Sequence, residues 1–383
     1  MSKAGAQGGR LSGVARHPIG AWLLIIPSMI LGILVVELFC HLFFPTSSSE
    51  DFAKPMRRVV FLDGSETIFR DQGDIFTYVP HSEVRNVTGF ITGDSFRIEY
   101  DYHFLTNNFG LVQDSDLVPE RQSLLLLGDS FTEGQGADPW FRRVSPEIEK
   151  RGYQPVNGGL LGTGFEQWLK LDRYLAANDV RIRKLLVLFI SADYNRAVWK
   201  LNPNDLHCLA GEPNCRVELS LFYRLPPQDQ LAAWIASLRE ARAPIIEKFR
   251  REQRAAALLP ASYAVYRYVR ERLRYPGIAA AADQARQQSR AAIAELIGLY
   301  GAKNVTFMHL PQRDEIDAGP NELGLQARRA ITEAGGTLVD GFAACRLTTA
   351  DYYINDNHPN VAGYAKIATC ATEVIKQLTE GGS

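Results

Sequence analysis

Leu124-Leu125-Leu126-Leu127 runs without a break into Gly128-Asp129-Ser130-Phe131. An apolar run of strand length with no polar face fits a strand covered on both sides, as in a parallel sheet flanked by helices. A turn at the carboxyl end of such a strand opens onto the crevice where α/β sheets bind ligands. A serine on that turn has its hydroxyl exposed and its backbone N–H free, and an acyl-transfer nucleophile needs both. Far downstream, Asp356-Asn357-His358-Pro359-Asn360 sets a carboxylate two residues before an imidazole, a base and an orienting acid on one loop.

Further apolar runs alternate with helical stretches from about Ser123 onward. Leu185–Ile190, Val305–Leu310 and Thr337–Asp340 read as buried parallel strands, and Pro155-Val156-Asn157 as a shorter one. Before them, Val59 to Phe109 holds short alternating runs such as Phe96-Arg97-Ile98-Glu99-Tyr100-Asp101-Tyr102, which predict strands or hairpins in an N-terminal extension. Residues 221–300 read as mostly helical. Leu231, Trp234, Leu238, Ile245 and Phe249 share one face, Val265, Val269 and Leu273 mark a second helix, and Arg267, Arg270, Arg272 and Arg274 give that helix a basic side, either solvated or suited to anionic headgroups or an acidic glycan.

Pro18 to Val36 carries no ionisable residue, and the apolar character continues past Glu37 to Phe44. At 1.5 Å per residue, roughly 20 such residues match a bilayer core, and no small-residue cleavage site follows. Lys3, Arg10 and Arg16 precede the segment, and Glu50 and Asp51 follow it, which orients an uncleaved anchor with its N-terminus in the cytoplasm. The expected organisation is a cytoplasmic tail over 1–17, a transmembrane anchor over 18–44, a linker and β-rich extension over 45–118, and a main domain over 119–383 with a helical insertion at about 221–300. The main domain is then extracytoplasmic, on the periplasmic side if the host is Gram-negative. There Cys208 and Cys215, bracketing a short loop, are expected to pair. Cys345 and Cys370 either pair or remain buried thiols, and Cys40 is a packing cysteine. A net charge of −1 gives no footprint of a nucleic-acid binder, and the cysteine spacing gives no reason to invoke zinc.

Gly-Asp-Ser alone decides nothing, because Gly93-Asp94-Ser95-Phe96 repeats it ahead of an alternating, strand-like stretch. Ser130 gains weight from its company. Asn157-Gly158-Gly159-Leu160-Leu161-Gly162-Thr163-Gly164 follows one strand and precedes a helix, a turn able to aim backbone N–H groups at an anion. Its glycines do not follow the dinucleotide-binding spacing. In order and spacing these blocks resemble the SGNH (GDSL-type) hydrolase family over roughly residues 120–375. Thr106-Asn107-Asn108-Phe109-Gly110-Leu111 also resembles a segment found upstream of membrane-anchored members.

The resemblance implies a three-layer α/β/α, flavodoxin-like fold with a parallel sheet. It implies Ser130 as nucleophile, His358 as base, Asp356 as its orienter, and the N–H groups of Ser130 and Gly162 as oxyanion donors. Asn157, Thr163 and Asp193 are assigned to substrate contact, and no metal or cofactor is called for. Two departures stand out. Where the family carries Asp three residues before the His, this chain has Asn355; its Asp-x-His spacing is similar to extracytoplasmic polysaccharide O-acetyltransferases of the alginate-modifying type. Where the family presents an asparagine amide after the third strand, this chain has Asp193, and an ionised carboxylate cannot donate to an oxyanion. Asn195 is expected to replace that donor; otherwise Arg196 supplies it, catalysis is slow, or the match to the family slips by two residues. The function implied is a serine esterase acting on O-acyl, foremost O-acetyl, groups of a glycan. The alternatives are an acetyltransferase of the same fold fed by a membrane acyl-transfer partner, a degenerate glycan-binding or assembly subunit, and a lipase or lysophospholipase. His309, ending a strand, either lines the same cleft or is a core histidine.

Overall fold

The structure, a computed structural model, describes residues 19–43, 56–64, 67–92, 95–137, 140–274 and 277–380. Five parallel strands form the central sheet in the spatial order Thr337–Asp340, Val305–His309, Arg181–Phe189, Gln122–Gly128, Gln154–Gly159. Counted along the chain and read from the opposite edge, the order is 2-1-3-4-5. That winding is flavodoxin-like, and its crevice lies where the first strand neighbours the third.

The tetraleucine run is buried because successive side chains point to opposite faces and both faces are covered. Leu125 and Leu127 join Leu185, Val187, Phe189 and Phe307 against helices Phe165–Ala177, Gly277–Tyr300 and Glu322–Glu333. Leu124 and Leu126 join Leu186, Leu188 and Met308 against helices Phe141–Lys150 and Val361–Glu380. Each fully buried leucine contributes about 2 kcal/mol of apolar burial. The result is a three-layer α/β/α unit.

The extension is a second sheet, ordered Ser95–Leu105, Glu83–Thr92, Met56–Asp63, Phe222–Arg224. Its first three strands are antiparallel; the last runs parallel to Met56–Asp63 and comes from the region expected to be mostly helical. Of the second Gly-Asp-Ser copy, Ser95 is exposed and opens a strand, while Gly93 and Asp94 lie outside the described residues.

Helices Leu231–Leu258, Pro260–Arg274 and Gly277–Tyr300 follow. The third is not part of an insertion: Ala292, Ile293, Leu296 and Ile297 pack in the core of the central sheet. Leu238 is buried and Trp234 stacks edge-on to Phe61 at 4.9 Å, while the side chains of Ile245 and Phe249 lie outside the described residues. Two compact units result, one holding Glu247–Arg274 with the N-terminal helix, the other holding both sheets.

The N-terminal helix spans Ile19–Phe43. Its one acid, Glu37, accepts from the Ala261 and Ser262 N–H groups at 2.6 and 2.9 Å and so caps Pro260–Arg274. Large apolar side chains from Met29 to Leu42 are 46–66 % exposed. Among the described residues, however, no helix is long and apolar enough to cross a membrane. Most of the segment expected as an anchor over 18–44 is thus a helix with exposed apolar side chains, and residues 18 and 44 lie outside the described residues. In the second helix Arg270 pairs with Glu252 at 3.0 Å, and the side chains of Arg272 and Arg274 lie outside the described residues.

Cys208–Cys215 and Cys345–Cys370 are disulfides, with Cα atoms 4.6 Å and 5.1 Å apart. Cys40 is a buried free thiol.

Candidate active site

Three loops meet above the carboxyl ends of the first three strands. Asp129 follows strand Gln122–Gly128 and caps the short helical turn Ser130–Glu133, its Oδ1 accepting from the Phe131 N–H at 2.9 Å. The cap leaves Ser130 on the first residue of that turn. The glycine loop lies directly against it. A side chain at Gly159 would bring Cβ to 2.1 Å from the Glu133 nitrogen, and Gly162 has φ +73°, a left-handed conformation open to glycine. Glu133 fastens the two loops: its Oε1 accepts from Tyr78 Oη at 3.0 Å and its Oε2 from the Leu161 N–H at 2.8 Å. Burial pushes the Glu133 carboxyl up to about 8, against those two hydrogen bonds, which favour the charged form.

Ser130, His358 and Asp356, distant in sequence, stand in hydrogen-bonding order. Ser130 Oγ is 2.8 Å from His358 Nε2, and His358 Nδ1 is 2.7 Å from Asp356 Oδ1. Burial alone would raise the Asp356 carboxyl. The neighbouring His358 and Arg58, with hydrogen bonds from His358 and Tyr100, outweigh it and hold the group well below the usual carboxylate range. An ionised carboxylate only accepts, so the imidazole proton sits on Nδ1 and Nε2 offers its lone pair to the serine hydroxyl. All three side chains are buried, with residue exposures of 6–8 %. Asn355, the alternative acid position, bonds Glu99 instead.

Asp193 is fully buried, but its carboxylate is turned away from an oxyanion role. Its Oδ2 accepts from the Ile190 N–H at 2.8 Å and its Oδ1 ion-pairs with Arg196 at 2.6 Å. Burial and the nearby Asp129 push the Asp193 carboxyl up, and Arg196 opposes them. The same Arg196 Nη1 reaches Asp129 Oδ2 at 2.9 Å and the Thr163 carbonyl at 3.0 Å, so one guanidinium ties together the loops after the first three strands. Asn195 does otherwise: its Oδ1 accepts from Arg286 of helix Gly277–Tyr300 at 3.1 Å. The Asn195 carbonyl is thus engaged by Arg286, while Arg196 lies against Asp129, the residue before Ser130.

Asn157 and Thr163 are also not free for a substrate. Asn157 donates to the Val112 carbonyl and accepts from the Gly159 N–H. Thr163 donates to the Leu160 carbonyl and accepts from Trp168 Nε1. Both shape the glycine loop from inside.

A second serine–histidine pair lies at the end of the third and fourth strands. Ser191 Oγ is 3.1 Å from His309 Nε2, but Arg328 Nε donates to His309 Nδ1 at 2.8 Å. The His309 proton is therefore on Nε2, facing the serine, which leaves no lone pair to activate it. Burial first, then Arg328, pushes His309 down to about 3, and the pair is structural.

Arg196→Met should leave the buried Asp129 and Asp193 without a cation and cost about 3–5 kcal/mol. Urea denaturation would read the loss, and adding Asp193→Asn should restore much of it. An unchanged midpoint in the single variant would count against the bridge.

No family model matches the chain. No curated protein matches it either. Among solved structures it is similar to the lipase/acylhydrolase from Enterococcus faecalis, at 12 % identity over 67 % of this chain and 95 % of that one, with a TM-score of 0.36. It is also similar to a family two carbohydrate esterase from Clostridium thermocellum, at 10 % identity over 84 % and 89 % of the two chains, TM-score 0.32. An acetyl xylan esterase from Butyrivibrio proteoclasticus is 10 % identical over 80 % and 73 %, TM-score 0.29. Likenesses this remote leave the chemistry to the chain's own geometry.

Proposed function

We propose that the chain is an SGNH-type serine esterase that forms an acyl-enzyme on Ser130. The observation that carries this is the unbroken relay of 2.8 and 2.7 Å from Ser130 Oγ through His358 to Asp356. His358 takes the hydroxyl proton as Ser130 attacks an ester carbonyl, then returns it to the leaving alcohol. The Ser130 and Gly162 N–H groups and the Arg196 guanidinium receive the developing oxyanion. Water then releases the acid.

For substrate we propose O-acyl, foremost O-acetyl, groups on a carbohydrate outside the cytoplasm. Two disulfides suit an oxidising compartment, and an apolar N-terminal helix behind basic residues suits attachment to a membrane. A groove of about 660 Å³ runs beside the loop that carries Asn355, and its lining mixes Arg97, Glu99, Arg313 and Tyr353 with the apolar Ile98 and Ile354. The pairing of Asp193 with Arg196 supports an esterase over a degenerate glycan-binding subunit.

A fluorophosphonate probe tests the assignment. It should phosphonylate one residue, with mass spectrometry locating the adduct on the peptide containing Ser130. An adduct on another serine, or none, would rule out the nucleophile.

A further inference from the structure

In a regular strand, neighbouring residues face opposite sides of the sheet. Strand Ser95–Leu105 breaks that rule at one place. Tyr100 pairs with Thr88 and Ile98 with Gly89, so Glu99 is an extra residue with no partner across the ladder, a β-bulge. Both Glu99 and Tyr100 consequently reach the loop that carries the catalytic acid. Glu99 Oε1 and Oε2 accept from the Asn355 N–H at 3.0 Å and from Asn355 Nδ2 at 2.6 Å. Tyr100 Oη donates to Asp356 Oδ2 at 2.7 Å. Arg58, from strand Met56–Asp63, donates to Tyr100 Oη at 2.7 Å and lies 3.1 Å from the same Asp356 oxygen. The two oxygens of Asp356 are thus divided, Oδ1 for His358 and Oδ2 for the extension.

We propose that Arg58 and Tyr100 are positioning residues for the Ser130–His358–Asp356 relay, so that the N-terminal sheet is a working part of the active site and not a spacer. The inference rests on the reading of Ser130 as nucleophile. With Oδ2 held by two donors, the carboxylate cannot rotate away from the imidazole. The guanidinium also offsets part of the carboxylate charge that the imidazole feels. Titratable groups around this cluster are Tyr102 on the same strand as Tyr100, Tyr364 on helix Val361–Glu380, Tyr353 and His358 on the catalytic loop, and Asp129 and Glu133 on the nucleophile turn.

The test measures hydrolysis of p-nitrophenyl acetate across pH 5–9 for the full chain and for Tyr100→Phe, Arg58→Met and Arg58→Lys, with Ser130→Ala as reference. Tyr100→Phe removes one oxygen and no volume. It and Arg58→Met should each lower kcat about 10–100-fold, the cost of a lost hydrogen bond to a charged group, with KM within about twofold. Losing the cation or the phenol donor leaves the Asp356 charge less compensated, which favours the protonated imidazole. The acid limb of kcat/KM should therefore move to higher pH, by roughly half a unit to one unit. Arg58→Lys, which keeps the charge, should restore that limb. Wild-type kcat and an unmoved acid limb in Tyr100→Phe and Arg58→Met, with Ser130→Ala inactive, would overturn the positioning role and leave the esterase standing. Lower activity with an unmoved limb and a lowered melting temperature would also overturn it, as mere loss of stability. Activity retained in Ser130→Ala would instead overturn the reading beneath it.

Discussion

Ser130→Ala should lower kcat for p-nitrophenyl acetate by about a millionfold, the size of effect seen when a serine enzyme loses its nucleophile. Any residue of catalysis would come from the oxyanion donors and from binding alone. The fold should barely notice. The hydroxyl's one short hydrogen bond is to His358, and its contact with Asp129 Oδ2 is long at 3.5 Å, so the stability change should stay within about 1 kcal/mol. Ser191→Ala is the matched control. It too removes a serine that touches a histidine, but His309 presents a proton to it, so turnover should persist. A stopped assay with purified variants separates the two. Equal activities in both, or loss in Ser191→Ala alone, would mean that the wrong serine has been assigned.

That contrast shows what a sequence can and cannot say about a site. Both serines follow apolar strands, and His309 ends one while His358 sits on a loop before helix Val361–Glu380, so residue type alone ranks them only by motif. What separates them is which ring nitrogen holds the proton. Arg328, nineteen residues beyond His309, decides that for one pair, and Asp356, two residues before His358, decides it for the other. The second is local and could be read; the first depends on a helix packing beside a strand and could not. The central strands were legible for the same reason, because burial on both faces writes an uninterrupted apolar run into Leu124–Leu127 and Leu185–Phe189. Strand Phe222–Arg224 was not, since its partner Val60–Leu62 lies some 160 residues away and only pairing defines it. Asp193 misled by its type. Three residues on, within one turn, Arg196 neutralises it, and that i,i+3 spacing was the available signal. Helix Gly277–Tyr300 read correctly as helix, but an amphipathic pattern does not say which surface it meets.

Asp356→Asn should be the second large effect, lowering kcat by about 10⁴-fold with little change in KM. The surroundings explain why an isosteric amide cannot substitute. Tyr100 Oη and Arg58 Nη2 both point donors at the outer oxygen, so an asparagine must turn its carbonyl toward them. Its NH₂ then faces His358 Nδ1. That nitrogen can only accept from it, which moves the imidazole proton to Nε2 and leaves nothing to take the proton from Ser130. Asn355→Ala, by contrast, deletes a contact with Glu99 and leaves the relay intact, so kcat should fall less than about tenfold. Steady-state kinetics on the two variants reads the difference directly. If Asp356→Asn retains a tenth or more of wild-type kcat, the carboxylate does not set the tautomer; if Asn355→Ala is the more damaged, the loop is held by Glu99 in a way the relay depends on more than on its own acid.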